Sequence, residues 1–360
     1  MEKIKLFDSY KVENITPFYT NQDAFHSFQK KKLTTTIPPS YLFTVHNALV
    51  SPYGVIFKNG RAVAESIYAN PKFSHAQINL SFYKKIIMGK VRKVEGECFV
   101  FHHGWFDNYY HWLIEMLPRL YAAREHIKNC TLLLHESIAK YHYDSISLFK
   151  FKDICLIKDA ELVRASKLMF PSFINFVSKE DINHGNQIIK EVDVNFHKPV
   201  MQEMAGWLKE KCQVKTQQNR KIFISRQKAK YRKLMNYKEV KIILDSHNIE
   251  EVFLEELSFK EQVNMLANTK LVVCIHGAGV ANTIFMPQNG YVLNFTHKDY
   301  HEYCFQTIAH GMDLKYANIL CNGNSFPNPQ SNDVIIDTDI LNKLLSEIEN
   351  NSIDETSTYH

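Results

Sequence analysis

Residues Leu271–Pro287, LVVCIHGAGVANTIFMP, constrain the fold of this chain more than any other stretch. An apolar run of β type, Leu271 to Ile275, passes through His276 into Gly277-Ala278-Gly279 and on into a short helical pattern that Pro287 stops. A strand, a glycine turn and a helix start, in that order, leave backbone N–H groups and the positive end of a helix facing the carboxyl edge of a sheet, where anions bind. The glycines allow positive φ and close approach of a ligand, and His276 stands where a strand-end side chain reaches that ligand. Such turns also arise from packing alone, so the surrounding pattern decides between the two readings.

That pattern is repetitive. Strand Lys221–Ser225, helix Tyr237–Asp245, strand Glu251–Leu254, helix Ser258–Ala267, strand Leu271–Ile275, helix Ala281–Met286 and strand Tyr291–Phe295 alternate, which predicts an α/β fold with a doubly wound parallel sheet. Ligands of such sheets bind at the carboxyl ends of the strands, here Ser225 and Arg226, Glu255 and Glu256, His276 and Gly277, and Thr296 and His297. Asn282 stands where a dinucleotide fingerprint needs its third glycine, and no GxxxxGK[ST] occurs, so NAD, FAD and P-loop readings lose ground.

The N-terminal half reads differently. Residues 1–40 are polar and irregular, and their Lys30-Lys31-Lys32 run reads as a solvated face, with an anionic membrane surface as the second reading. Tyr41–Phe101 is β-rich, with Asn59-Gly60 as a hairpin turn. A helix follows from Asn108 to His126, then strands Thr131–Leu134 and Ile154–Ile157 around a helical stretch Tyr143–Phe149, and an extended segment near Leu168–Phe170. The polar segment Val177–Gly185 marks a boundary, giving expected domains 1–185 and 186–350 and a disordered tail 351–360.

A net charge of +5 suits a small anionic substrate and falls short of a dedicated nucleic-acid binder. The seven cysteines contain no CxxC pair, which argues against a disulfide framework or a cysteine zinc site and for a reducing compartment. With no signal-peptide pattern and no run near the roughly 20 apolar residues of a membrane span, the expected location is cytoplasmic.

Three constellations carry chemistry. Arg226, Lys228, Lys230, Arg232 and Lys233 follow the strand KIFIS, with Ser225 at its tip, and arginines there can grip a diphosphate; the plain alternative is a solvated basic loop. In NYYHWLIEMLPRLYAAREH, apolar residues fill a broad arc and leave Asn108, His111, Glu115 and Arg119 on one narrow stripe, which is either the wet face or a wall offering a general base. Pro118 is expected to kink that helix. Glu255 and Glu256 could accept from a ribose or sugar hydroxyl, while Ser258 and Glu261 read as a capping box. Asp337-Thr338-Asp339 spells DxD, but Asp339 reads as an N-cap, and His102, His103 and His111 lack a zinc spacing, so no metal is expected.

In this order the blocks NYYHWLIEMLPRL, ISRQKAKYRKL and EELSFKEQVNMLANTKLVVCIHGAGVANTIFMP resemble glycosyltransferase family 61, which includes bacterial capsule and lipopolysaccharide transferases. The resemblance implies a two-lobed, GT-B-like, inverting and metal-independent transferase that needs no cofactor. A nucleotide-sugar donor would be bound through Asn108, Ser225, Arg226, Lys228, Arg232, Glu255, Glu256, His276, Gly277, Ala278, Gly279 and Asn282, its diphosphate in the C-terminal lobe. His111 or Glu115 would be the base, the two left undecided. The acceptor would be a saccharide or lipid-linked saccharide, with a peripheral inner-membrane contact, no nucleic-acid partner, and a role in surface polysaccharide synthesis. A non-catalytic carbohydrate- or polyanion-binding subunit is the alternative, and a nucleotide-dependent oxidoreductase the weakest reading.

Overall fold

The computed structural model describes the chain except residues 13–16, 22–34, 69–89, 185–186, 216–218, 301–303 and 351–360, and describes the backbone alone at 35, 90, 176–184 and 187–195. The Lys30-Lys31-Lys32 run and the expected disordered tail lie outside the described residues. The chain forms a mixed α/β fold of two compact units, the first built from Met1–Val12, Thr36–Val177 and Pro199–Met204, the second chiefly from Ser178–Lys198 and Ala205 onward. Among the described residues no helix is long and apolar enough to cross a membrane.

The first unit holds one sheet of eight strands: β1 (Glu2–Phe7), β2 (Ser40–Val50), β3 (Ile56–Lys58), β4 (Arg61–Ala62), β5 (Lys90–Phe99), β6 (Thr131–His135), β7 (Asp153–Ile157) and β8 (Glu161–Pro171). The order is β7-β6-β5-β8-β2-β3-β4, with β1 also on β2. Strands β7, β6, β5 and β8 run parallel, and the rest are antiparallel additions. Strand β6, TLLLH, is buried at every residue, as befits a parallel strand covered on both faces. The hairpin between β3 and β4 turns on Asn59 and Gly60, both with positive φ (49° and 74°), the pairing a type I′ turn requires.

The second unit holds β9 (Arg220–Ile224), β10 (Glu250–Val252), β11 (Thr269–Ile275), β12 (Tyr291–His297) and β13 (Lys315–Cys321), in the order β10-β9-β11-β12-β13, with Tyr19–Thr20 on the far edge. All pairs are parallel. Sheet positions Phe223, Val273, Leu293 and Ile319 form a core with Val240 and Leu244 of one helix (Tyr237–Ser246) and Leu341, Leu344 and Leu345 of another (Thr338–Glu349). The expected doubly wound sheet is present, and its strand order reverses between β9 and β11. The crevice outside the strand ends at such a reversal is where α/β sheets bind ligands.

Local expectations fared unevenly. Ser258 and Glu261 do form a capping box on the helix Phe259–Ala267. The helix expected at Ala281–Met286 is instead a 3-10 segment, Ala278–Phe285, whose tight bonds include Val280 N–H to Gly277 O at 2.9 Å. Asp337, not Asp339, caps the last helix, its Oδ1 accepting from the N–H groups of Asp339 and Ile340. The helix starts at Thr338, two residues earlier than its apolar pattern suggests, which shifts the cap to the first aspartate. All seven cysteines are free and buried.

Candidate active site

Strand β5 leads through Val100 and Phe101 into His102 and His103, at the carboxyl edge of the parallel strands of the first unit. The stripe helix starts just beyond. Asn108 caps it, its Oδ1 accepting from Tyr110 N–H at 2.9 Å, so this residue's side chain is committed to the helix start. The helix runs as α1 (Tyr109–His111), a π turn (Trp112–Met116) and α2 (Leu117–Ala123). The π turn has a local cause. Pro118 has no N–H, and its ring would collide with the carbonyl of Ile114 in a regular helix. The widened turn, with Leu117 N–H bonded to Trp112 O, accommodates it.

The polar stripe is not a wet face. Glu115 is 0% exposed and Arg119 2%, while the His111 side chain keeps 23% exposure. Glu115 Oε1 accepts from Tyr68 OH at 2.6 Å, and Oε2 lies 2.7 Å from His111 Nδ1. Oε2 is also 3.1 Å from His103 Nε2, within ion-pair reach but off the line of a hydrogen bond. His103 Nδ1 receives Trp105 N–H at 3.4 Å, and its ring stacks on Tyr68 with centroids 4.2 Å apart. Trp105 in turn stacks on His111.

Arg119 does not pair with Glu115. Its guanidinium donates to three main-chain carbonyls at the ends of β5 and β8: Phe101, Pro171 (2.6 Å) and Ser172 (3.3 Å). It also lies over the Phe173 ring. Arg119 therefore ties the helix to the sheet edge.

Protonation follows from these contacts. Burial alone would raise the Glu115 carboxyl, but His111 and His103 outweigh it and hold it at about 2. Burial pushes His103 down to about 4 against the pull of Glu115, so this imidazole stays neutral. Burial, reinforced by Glu115, drives the Tyr68 phenol well above its usual range, so it remains a donor. Glu115 is thus an anion fully engaged as an acceptor. His111 presents Nδ1–H to it, leaving the Nε2 lone pair as the group able to take a proton.

In the second unit the reversal point brings together the loops after β9 and β11. Arg226 is half-buried, donates from Nη2 to Tyr231 O at 3.1 Å, and rests its Nη1 where a side chain on Gly277 would stand. Gly277 and Gly279 do not adopt positive φ; Gly277 is extended, and its missing Cβ makes room for the guanidinium. Arg232 lies close enough that, after burial, its charge is the next cause lowering Arg226 to about 10, with Glu255 opposing. Among the described residues the Nε groups of both arginines are buried without an acceptor, and no carboxylate is hydrogen-bonded to either guanidinium. Two neighbouring cations so placed have the chemistry to receive an anion.

The remaining expected donor-site residues are placed otherwise. Lys228 pairs with Glu256 and lies over the Phe253 ring, and Glu255 and Glu256 are exposed in a 3-10 turn after β10. His276 is 2% exposed and packs against Phe305, with Nδ1 3.4 Å from Asn294 Nδ2; it faces the interior and not an open strand end. Asn282 is fully buried and donates to Gln262 Oε1 and Gly279 O, a packing role. Ser225 is buried, its Oγ 3.4 Å from Gln227 N–H. Ala278 opens the 3-10 segment. Tyr68, His103 and Trp105 were not anticipated; His103 could have been, because a histidine between a strand end and a helix start lies at the carboxyl edge.

A mixed α/β fold with parallel sheets is compatible with the α/β glycosyltransferases. Residues 109–293, just over half the chain, match the model of Glycosyltransferase 61, and the chain belongs to that family. The matched span includes His111, Glu115, Arg226, Arg232 and Gly277. No curated protein matches the chain.

Proposed function

We propose that this protein is an inverting, metal-independent transferase that moves a sugar from a nucleotide-sugar donor to a saccharide or lipid-linked saccharide acceptor, in surface polysaccharide synthesis on the cytoplasmic side of the inner membrane. The two units serve as the lobes of a GT-B-like architecture. The observation that carries the reading is the pairing of a partly exposed His111 with a buried, ionised Glu115. His111 Nε2 takes the proton of the acceptor hydroxyl as its oxygen attacks the anomeric carbon. Glu115 fixes the ring and stabilises the imidazolium that forms, as an orienting carboxylate does in a catalytic triad. The bond from the anomeric carbon to the phosphate oxygen breaks on the opposite face, and the departing nucleoside diphosphate gains charge that Arg226 and Arg232 stabilise in place of a metal. A non-catalytic binding subunit would have no use for an ionised carboxylate buried behind a histidine.

Thermal shift with UDP-, GDP-, CMP- and dTDP-sugars, followed by proton NMR of the product's anomeric configuration, tests the reading. Stabilisation by one donor class and inversion are expected. No stabilisation by any donor and no sugar release would overturn it.

A further inference from the structure

The second unit contains one more buried donor at the same edge, and its role rests on reading that edge as the diphosphate site. His297 ends β12, four residues past the span that matches the family, and is 3% exposed. Its Nδ1 receives two N–H groups, the side-chain amide of Asn332 at 3.1 Å and the main chain of Asp299 at 3.2 Å. The Asn332 amide is oriented by its own Oδ1, which accepts Phe326 N–H at 2.7 Å. Nδ1 is therefore the acceptor nitrogen and the ring proton sits on Nε2. Among the described residues that Nε2–H is buried with no acceptor, an arrangement native structures rarely leave without a reason.

The register of the sheet says what lies beside it. Ile275 of β11 pairs with Phe295 of β12, and His276 N–H bonds to Phe295 O. Continued two residues past the last paired positions, this register sets Gly277, whose backbone is still extended, opposite His297. In-register neighbours of a parallel pair point to the same face. The place a Gly277 side chain would fill is the place Arg226 Nη1 occupies. The imidazole of His297 and the guanidinium of Arg226 thus share one face of the sheet edge. Buried N–H groups without an acceptor on Arg226, Arg232 and His297 call for a ligand rich in acceptor oxygens.

We propose that His297 is a third donor to the diphosphate: its Nε2–H bonds a phosphoryl oxygen of the group that Arg226 grips. Being neutral, it adds a directed hydrogen bond without adding a third repelling cation, and the bond strengthens as the leaving group gains charge.

Calorimetry with inorganic pyrophosphate, with the tightest binder among UDP, GDP and dTDP, and with that binder's parent nucleoside tests this. His297→Asn puts Oδ1 in the place of Nδ1, so Asn332 and Asp299 keep their acceptor while Nε2–H is lost. The expected result is about tenfold weaker binding of pyrophosphate and nucleoside diphosphate, unchanged nucleoside binding, and an unchanged melting temperature without ligand. His297→Gln returns an N–H near the Nε2 position and should restore affinity; a folded Gln variant as weak as Asn overturns the proposal, as does unaltered pyrophosphate affinity in His297→Asn. Equal loss for the nucleoside would move the contact to the base and overturn the phosphate assignment. If Arg226→Ala loses pyrophosphate and His297→Asn does not, only His297 is wrongly placed. If the unaltered protein binds neither pyrophosphate nor any nucleoside diphosphate, the site reading fails and His297 falls with it.

Discussion

His111→Ala and Glu115→Gln should not cost the same. On the proposed function His111→Ala removes the base itself, a loss of roughly 10²–10⁴ in turnover. In Glu115→Gln the amide oxygen can still accept His111 Nδ1–H, so ring orientation survives. What disappears is the negative charge 2.7 Å from the nitrogen that becomes part of an imidazolium. A hydrogen bond to a charged group contributes about 1.5–3 kcal/mol, which corresponds to roughly 10- to 150-fold in rate. Because Glu115 acts through His111, the double variant should be no slower than His111→Ala alone, a non-additivity typical of groups working as a unit. Initial rates of sugar transfer with donor saturating, together with the donor KM, provide the readout, and KM should stay near its wild-type value in all three. The pH profile gives an independent sign. A base carboxyl held at about 2 would give a rate flat down to pH 4, so an acidic limb above that pH argues against Glu115 itself as the base. A flat profile, with Glu115→Gln the slower variant, would refute the assignment and make Glu115 the base.

The same contacts set other outcomes. Arg226→Ala should weaken nucleoside diphosphate binding by about 1.5–3 kcal/mol in calorimetry, and Gly277→Ala should weaken it too by displacing the guanidinium, each with little change in ligand-free melting temperature. Unchanged affinity in both would return this loop to the status of a solvated basic segment. Transfer should persist in excess EDTA, and activity lost on chelation and restored by Mn²⁺ or Mg²⁺ would contradict the arginine-only account. Acid should destabilise in two stages. His102 and His103, pushed by burial to about 3 and about 4, bind protons more readily unfolded, so stability falls as pH drops below 6.5. Glu115, held at about 2 against an ordinary 4.5, contributes stability that is full above 4.5 and lost on approaching 2. Thermal melts of Glu115→Gln should show a shallower decline between pH 4.5 and 2, and an unchanged slope there would argue against an ionised native carboxylate.

Much of the scaffold was legible because it is written in local periodicity. The alternating βα pattern from Lys221 onward, the Asn59-Gly60 turn and the Ser258–Glu261 box each rest on residues close in sequence. The site was legible only as a set of positions. The stripe of His111, Glu115 and Arg119 has the spacing of a wet face, and what buries it comes from far along the chain: Tyr68 from one side, the carbonyls of Pro171 and Ser172 and the ring of Phe173 from another. No local pattern announces those contacts. His276 misled for a related reason. A strand-end position fixes a residue's height in the sheet but not whether its face is open, and the face of His276 is covered by Phe305. Gly277 was expected to offer a positive φ, but its backbone is extended, and what the structure shows is that its absent Cβ makes room for Arg226.

The placement of Arg119 explains how the charge of Glu115 stays useful. A buried carboxylate four residues before a buried arginine on one helix would ordinarily be neutralised by it, and the field at His111 would be small. Here the guanidinium donates to the main-chain carbonyls of Phe101, Pro171 and Ser172, so the arginine is held by the sheet edge. Its charge still reaches Glu115 at a distance, but the carboxylate oxygens are left to Tyr68, His103 and His111. Of these, burial holds Tyr68 and His103 neutral, and the His111 side chain, 23% exposed, is the one to which the proposed function gives the proton. The sheet edge thereby converts a stripe that could have been an internal salt bridge into a carboxylate whose hydrogen-bonded partner is the histidine that the proposed function makes the base.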